Sequence, residues 1–556
     1  MRIYRQLCPS AFDKKFFTSD EIKSGWRLAC KNYITGKLIV EIPAYSSLEN
    51  LRILSRGKRK KLKFNPAIIK KYIEIIPPTL KNQQSYVSLL KDKLNIKKID
   101  LNTIQHISEI LNNFDNKVTG VIKDSELLTI EGGDTREKNY GIAFDIGTTT
   151  VVGFLVSLNS GKVLHISSRA NLQISSGADI ISRIAYSIKS KDNLLQLHQN
   201  VIDTINYIID QLIKKSGISK YNIYELTIAG NTVMSHLLLK ISPESLSHSP
   251  FTPVFTESIQ TKAKELKINV NPEANVYIFP NIGGFIGGDI ISGMLVHNIE
   301  KSKKIKIAID IGTNGETVIG NKYRMIACSN AMGPAFEGAH ISCGMPAMNG
   351  AINKIDFLED EVNITVIGNT KPSGICGSAL IDLLANLLNR GIINEKGKFN
   401  NPEDLKNNVP EKILERLITI KNQTAFLVYR DRNREIVLMQ SDIRELQLAK
   451  AAVFSAIKIL MGILGVSIES VSEIFIAGAF GNYIRPENAL RIGLIPDISL
   501  EKIKPVGNTA GEGAINALIS RNERKRAELI AKKIEHIELS LQKKFQDEFT
   551  GALFFP

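Results

Sequence analysis

Cysteine is scarce, five in 556 residues, and tryptophan occurs once. So few cysteines exclude a disulfide-stapled scaffold and any complete four-cysteine cluster of ordinary spacing, and they predict a cytoplasmic chain. Cys328, Cys343 and Cys376 sit in apolar or glycine-rich stretches and are expected to be small buried residues. Residues 1–8 lack the apolar core of a secretory signal. The most apolar run, 451–465, contains Lys458 and is short for a bilayer span, so a buried helix is expected and no membrane contact. There is no Gly-x-x-x-x-Gly-Lys-Ser/Thr loop; the nearest approach, 391–399, has one residue too many and Phe399 where a hydroxyl is needed. The glycines of 283–288 lack dinucleotide-fold spacing. Acidic residues are outnumbered, 56 against 71 Lys and Arg, giving a net charge of +15. The basic residues are scattered, and the runs 56–63, 301–306 and 521–533 are expected to be solvated faces, so no nucleic acid is expected as a partner. A field of this sign would speed encounter with an acidic protein.

What the chain does contain is a repeat. Tyr-Gly-Ile-Ala-Phe-Asp-Ile-Gly-Thr-Thr-Thr at 140–150 returns as Ile-Ala-Ile-Asp-Ile-Gly-Thr-Asn at 307–314. Each copy reads as an apolar strand, an aspartate near its end, a glycine turn and a second strand, beginning at Val151 and at Glu316. Without a Cβ, Gly147 and Gly312 let backbone N–H groups approach phosphate oxygens, and Thr148, Thr149, Thr150 and Thr313 add hydroxyl donors beside Asn314. Asp145 and Asp310 would repel phosphate directly but suit a hydrated Mg²⁺. A third segment, 473–483, is a buried strand ending in Gly478, Ala479, Phe480 and Gly481, where small residues let an adenine or ribose lie on the backbone.

Two such turns followed by a strand and glycine cluster resemble the acetate kinase, sugar kinase, Hsp70 and actin (ASKHA) superfamily. The stretches 177–184, 229–238, 281–289, 333–338 and 373–378, with the terminal Phe554-Phe555-Pro556, are similar to reductive activators of corrinoid proteins. The resemblance implies an α/β fold, a two-lobed actin-like ATPase module, with ATP and Mg²⁺ as ligands and return of a partner's Co(II) corrinoid to Co(I) as the activity. It implies coupling because an uphill one-electron step loses a factor of ten for every ~59 mV. No Asp-x-His-x-x-Gly segment occurs, consistent with the cobalt residing on a corrinoid protein partner, and His236 and His340 are expected to pack or hydrogen-bond. Glu316 and Asp289 are candidates for the catalytic, water-orienting carboxylate, Glu316 favoured by its place just after the second turn. A small-molecule kinase, with Asp289 as base, and a non-redox nucleotide switch remain alternatives.

The family implies an N-terminal plant-type [2Fe–2S] ferredoxin domain with C-x₄-C-x₂-C and a distant fourth ligand. Residues 18–43 resemble its last part, with Cys30 as the remaining iron ligand; the other three are absent, and isolated Cys8 replaces none of them. A late start in the gene model, a separate polypeptide that supplies the missing part and loss of the cluster are three explanations; with three ligands absent, the chain as given is expected to use a separate low-potential electron donor. The expected organisation is a ferredoxin remnant at 1–48, a linker and small α/β middle domain at 49–138, and ASKHA lobes at 139–300 and 301–556. Within these, 82–111 is expected to be helix-rich, 117–123 and 126–130 a strand pair, and 195–214 an amphipathic helix burying Leu195, Val201, Ile202, Ile205, Ile208, Ile209 and Leu212. A further helix begins near 442 with Ser441 or Asp442 as N-cap, and its Lys450 is expected to face solvent or else a phosphate. A homodimer is compatible with this organisation.

Overall fold

The computed structural model describes residues 2–3, 9–16, 19–27, 40–41, 62–312, 314–432, 434–478 and 483–556. Cys8, Cys30, Thr313, Ala479, Phe480, Gly481 and residues 56–61 lie outside them.

The first module joins strands β1 (Ile68–Glu74), β2 (Lys98–Ile99), β3 (Lys117–Lys123) and β4 (Glu126–Gly132) in the order β1-β3-β4-β2. Helices α1 (Tyr86–Leu94) and α2 (Leu101–Asn113) start where Ser85 and Asp100 accept hydrogen bonds from the amides of Ser88 and Thr103, as N-caps should. Leu90, Leu94, Ile107 and Leu111 then meet Val118, Ile122, Leu127 and Ile130 in a separate small core.

Downstream, the sequence repeat is a structural repeat. β5 (Tyr140–Ile146), β6 (Thr150–Ser157) and β7 (Val163–Ala170) form an antiparallel meander, and β8 (Ile223–Gly230) runs parallel to β5 on its other side. β9 (Ile259–Lys262) and β10 (Asn275–Ile278) complete the order β9-β10-β8-β5-β6-β7. The second sheet repeats the plan: β11 (Ile305–Ile311), β12 (Gly315–Gly320) and β13 (Met325–Asn330) form the meander, and β14 (Val471–Ala477) runs parallel to β11. β15 (Ile503–Gly507) and β16 (Ile534–His536) close the order β15-β14-β11-β12-β13-β16. Register makes the copies equivalent, since Asp145 lies opposite Ala229 and Asp310 opposite Ala477. Covered on both faces, β5 and β8 read as near-continuous apolar runs.

Helix α3 (Ile180–Ser187) and the long α4 (Lys191–Ser216) cover one face of the first sheet. On α4, Val201, Ile202, Ile205, Ile208, Ile209 and Leu212 are buried as expected, but Leu195 is 39% exposed and Leu197 takes the core place. Leu197 shares the stripe of Val201 and Ile205, whereas Leu195 lies roughly 120° away from it at 3.6 residues per turn. The other face of the sheet packs on α5 (Gly288–His297), which crosses α7 (Thr509–Ile519) between the two sheets; α6 (Gln440–Leu464) belongs to the second core. Their crossing is close because a Cβ on Gly513 would stand 1.8 Å from the Ser292 carbonyl, so only glycine fits. The second half of the chain thus reaches back into the first: Thr227 Oγ1 donates to Ala514 O at 2.8 Å.

Three sequence expectations are corrected here. The 521–533 run is α8 (Arg521–Lys533), whose Arg524 is buried and paired with Glu225 at 2.8 Å, while Arg526 pairs with Glu300 and Glu523, so this helix is stapled to the first lobe rather than solvated throughout. The N-cap of α6 is Met439; Asp442 lies inside the first turn, accepting from the Met439 amide at 2.8 Å and from Ser342. Lys450 neither faces solvent nor stands free to meet a phosphate: it is 2% exposed, donates to the Phe554 carbonyl and lies over the Phe555 ring. Burial pushes its amine down to about 8. The apolar stretch of α6 is packed into the core of the second half, as expected for a buried helix.

Candidate nucleotide site

The two glycine turns face each other across one cleft. Its lining includes Asp145, Gly147, Thr148, Thr149, Thr150 and Asp289 from the first half, and Asp310, Gly312, Asn314, Glu316 and Gly478 from the second. The cleft encloses about 790 Å³ of non-atom space, its open mouth included.

The first turn is built so that its carbonyls point away from the cleft. The Asn171 side chain donates to Gly147 O at 3.0 Å, the Asn171 amide donates to Thr149 O at 2.9 Å, and Arg183 donates to Thr148 O at 2.6 Å. Gly147 N donates to Thr150 O at 3.0 Å, and a Cβ on Gly147 would stand 2.7 Å from that oxygen. In the second turn Gly312 N donates to Asn314 O at 3.2 Å. Gly478, at the end of β14, has φ of +116° and its added Cβ would stand 2.2 Å from Ile311 O, so this close strand junction also demands glycine.

Acidic side chains concentrate in the cleft. Asp310 and Glu316 are direct cross-strand partners on β11 and β12, an arrangement of like charges that ordinary sheets avoid. Burial, reinforced by Asp145 and Glu337, pushes Asp310 up to about 7; burial and Asp310 do the same for Asp289, also to about 7. Burial raises Asp145 to about 6 against the opposing hydrogen bond from Asn508, and burial with Asp289 and Asp310 holds Glu316 well above the carboxylate range. Asp289 accepts from the Ile290 amide at 2.8 Å at the start of α5, whereas no hydrogen bond ties the Glu316 carboxylate among the described residues.

Residues unassigned from sequence complete the site. Asn508 donates to Asp145 at 2.7 Å while capping α7. Glu337 accepts from Thr149 Oγ1 at 3.2 Å and so joins the two halves. Asn231 lines the cleft where β8 ends. Its signal was present in the repeat: Ile228-Ala-Gly-Asn231 matches Ile476-Ala-Gly478, the two ends of the parallel partner strands. Asn508 carries no such signal, because its place depends on the return of α7 to the first sheet. His236 is buried, bonded to Thr232 O and the Val254 amide and stacked on Phe255, as a packing residue should be; His340 is exposed. Cys328 and Cys376 are buried as expected, whereas Cys343 is half-buried.

Models of three consecutive regions match the chain: the RACo linker region at 57–137, the RACo middle region at 140–302 and the C-terminal ASKHA domain of RACo at 304–556. The corrinoid activation enzyme RamQ of Eubacterium limosum is 33% identical over 539 residues, spanning 95% of this chain and 89% of that protein. A [Co(II) methylated amine-specific corrinoid protein] reductase of Methanosarcina barkeri is 25% identical over 458 residues, 75% of this chain and 77% of that one. The solved structure of a reductive activator for corrinoid, iron–sulfur protein superposes with a TM-score of 0.83 at 36% identity, covering all (100%) of this chain and 91% of the other. With its cleft set between two repeated sheets and its length matched from linker to terminal domain, the chain belongs to the RACo family of ASKHA-containing proteins.

Proposed function

We propose that this protein is an ATP-hydrolysing reductive activator that returns the Co(II) corrinoid of a partner protein to Co(I). The observation that carries the proposal is the meeting of two glycine turns and the acids Asp145, Asp289, Asp310, Glu316 and Glu337 in one cleft, in a chain similar along its length to named corrinoid activators.

The hydroxyls and remaining backbone N–H groups of Gly147 to Thr150 and of Gly312 to Asn314 receive the phosphates, the Gly147 and Gly312 N–H groups being used to close the turns, and the segment from Gly478 through Ala479, Phe480 and Gly481 receives the adenosine. The acids alone would repel a triphosphate; burial raises the proton affinity of Asp145, Asp289, Asp310 and Glu316, and neighbouring acids add to it at the last three. A hard cation that keeps its waters suits this donor set, and Asp145 and Asp310 would hold Mg²⁺. When bound, Mg²⁺ supplies charge neutralisation between the acids and the phosphates. Glu316 then orients the water that attacks the γ-phosphate, since no hydrogen bond holds its carboxylate among the described residues; Asp289, fixed by the Ile290 amide, shapes the site beside it. ATP and water leave as ADP and phosphate, and the reduction of Co(II) consumes one electron from a separate low-potential donor. Coupling requires that the nucleotide state change the affinity for one cobalt state over the other.

Calorimetry tests the site. Asp145→Ala and Gly312→Val should each weaken Mg-ATP binding; parental affinity in folded forms of both would remove the proposal.

A further inference from the structure

Arg183 is the largest fully buried side chain in the described structure, with 0% exposure, and it sits behind the first turn rather than in the cleft. Its Nη2 donates to Thr148 O at 2.6 Å, Nε to Gly177 O at 2.9 Å and Nη1 to the Gln173 amide oxygen at 3.2 Å, with the Met234 sulfur at 3.4 Å. Every oxygen in this set is uncharged. Among the described residues no carboxylate pairs with it; Asp179, the acid that acts on it, caps α3 through the Ser182 amide instead. Burial lowers Arg183 only to about 10, so it is a cation at neutral pH. An ionised group buried without a directly paired counter-charge is costly.

The cleft in front of it has the opposite imbalance. Its lining contains acids and no lysine or arginine among the described residues. We infer that Arg183 is a positioning residue for nucleotide binding: it turns the Thr148 carbonyl away from the cleft and sets a fixed positive charge behind the first turn, whose counter-charge is the polyphosphate. This rests on the nucleotide reading of the cleft and adds to it a source of phosphate affinity outside the glycine turns. In a low-dielectric interior the attraction is little screened, so it should grow with the charge of the ligand.

The test is a ligand series. Binding of Mg-ATP, Mg-ADP and adenosine would be measured by calorimetry for the parent chain, Arg183→Met and Arg183→Lys. Arg183→Met should weaken Mg-ATP by about 10- to 100-fold, the span of a lost charge-assisted bond, weaken Mg-ADP less, and leave adenosine within about twofold. Arg183→Lys keeps the charge but not the fork, so it should recover part of the loss. A folded Arg183→Met protein that binds Mg-ATP like the parent, or loses ATP and adenosine alike, overturns the inference. Should Arg183→Met not fold, Arg183→Lys alone decides: ATP affinity reduced with adenosine unchanged supports it, and unchanged ATP affinity overturns it. Failure of the parent chain to bind Mg-ATP would instead overturn the nucleotide reading, and this inference with it.

Discussion

Gly478→Ala should damage both stability and nucleotide binding, and the structure supplies its own control. Two costs act at Gly478. A left-handed backbone, φ +116°, costs an alanine about 1–2 kcal/mol. The new methyl would then stand 2.2 Å from Ile311 O, a backbone atom that cannot rotate away, and accommodating it adds about 1–3 kcal/mol of overpacking. The expected loss is about 2–5 kcal/mol. Relief of the clash separates the ends of β11 and β14, shifting the second turn, so Mg-ATP affinity should fall by at least about tenfold, the equivalent of roughly 1.4 kcal/mol. Gly217, which ends α4 with φ +70° and nothing within 4 Å of an added Cβ, incurs only the backbone cost. Gly217→Ala should therefore lose about 1–2 kcal/mol and bind Mg-ATP like the parent. Denaturant unfolding and calorimetry on the pair are decisive. Equal destabilisation of the two variants, with parental ATP affinity in Gly478→Ala, would refute the steric reasoning.

Glu316→Gln should retain Mg-ATP binding in calorimetry while phosphate release falls by about 100-fold or more, because the change removes a base and little volume. Arg524→Met should cost about 3–5 kcal/mol in denaturant unfolding by leaving Glu225 buried without its partner, and adding Glu225→Gln should restore part of the loss. Lys450 titrates at about 8 in the folded chain against 10.5 ordinarily, so between these values the unfolded chain binds more protons and stability rises with pH, by at most about 3 kcal/mol. That contribution should be missing from Lys450→Met in unfolding followed from pH 7.5 to 10.

The two glycine turns were legible because their signature is local. A strand, an aspartate and a glycine turn carry their signature in eight residues, and the second copy exposed the first. Glu316 was placed just after the second turn, and the hairpin sets it opposite Asp310. Lys450 misled because a lysine in an amphipathic helix is usually solvated, and only the return of Phe554 and Phe555, over a hundred residues later, makes its site interior. Arg524 and Arg526 looked like a charged surface for the same reason: their acids Glu225 and Glu300 lie in the first half of the chain. Asn508 and Glu337 enter the cleft through long-range packing that no local pattern encodes.

The central claim joins the nucleotide cleft to cobalt chemistry, and one measurement addresses that junction. The visible spectrum of a Co(II) corrinoid protein from the same organism would be followed with this protein and a low-potential electron donor, with and without Mg-ATP, in parallel with phosphate release. Conversion to Co(I) only when Mg-ATP is present, with phosphate release stimulated by the corrinoid protein, is the expected result. Co(I) formation indifferent to Mg-ATP, or phosphate release stimulated by a small hydroxylated substrate and by no corrinoid protein, would contradict the account.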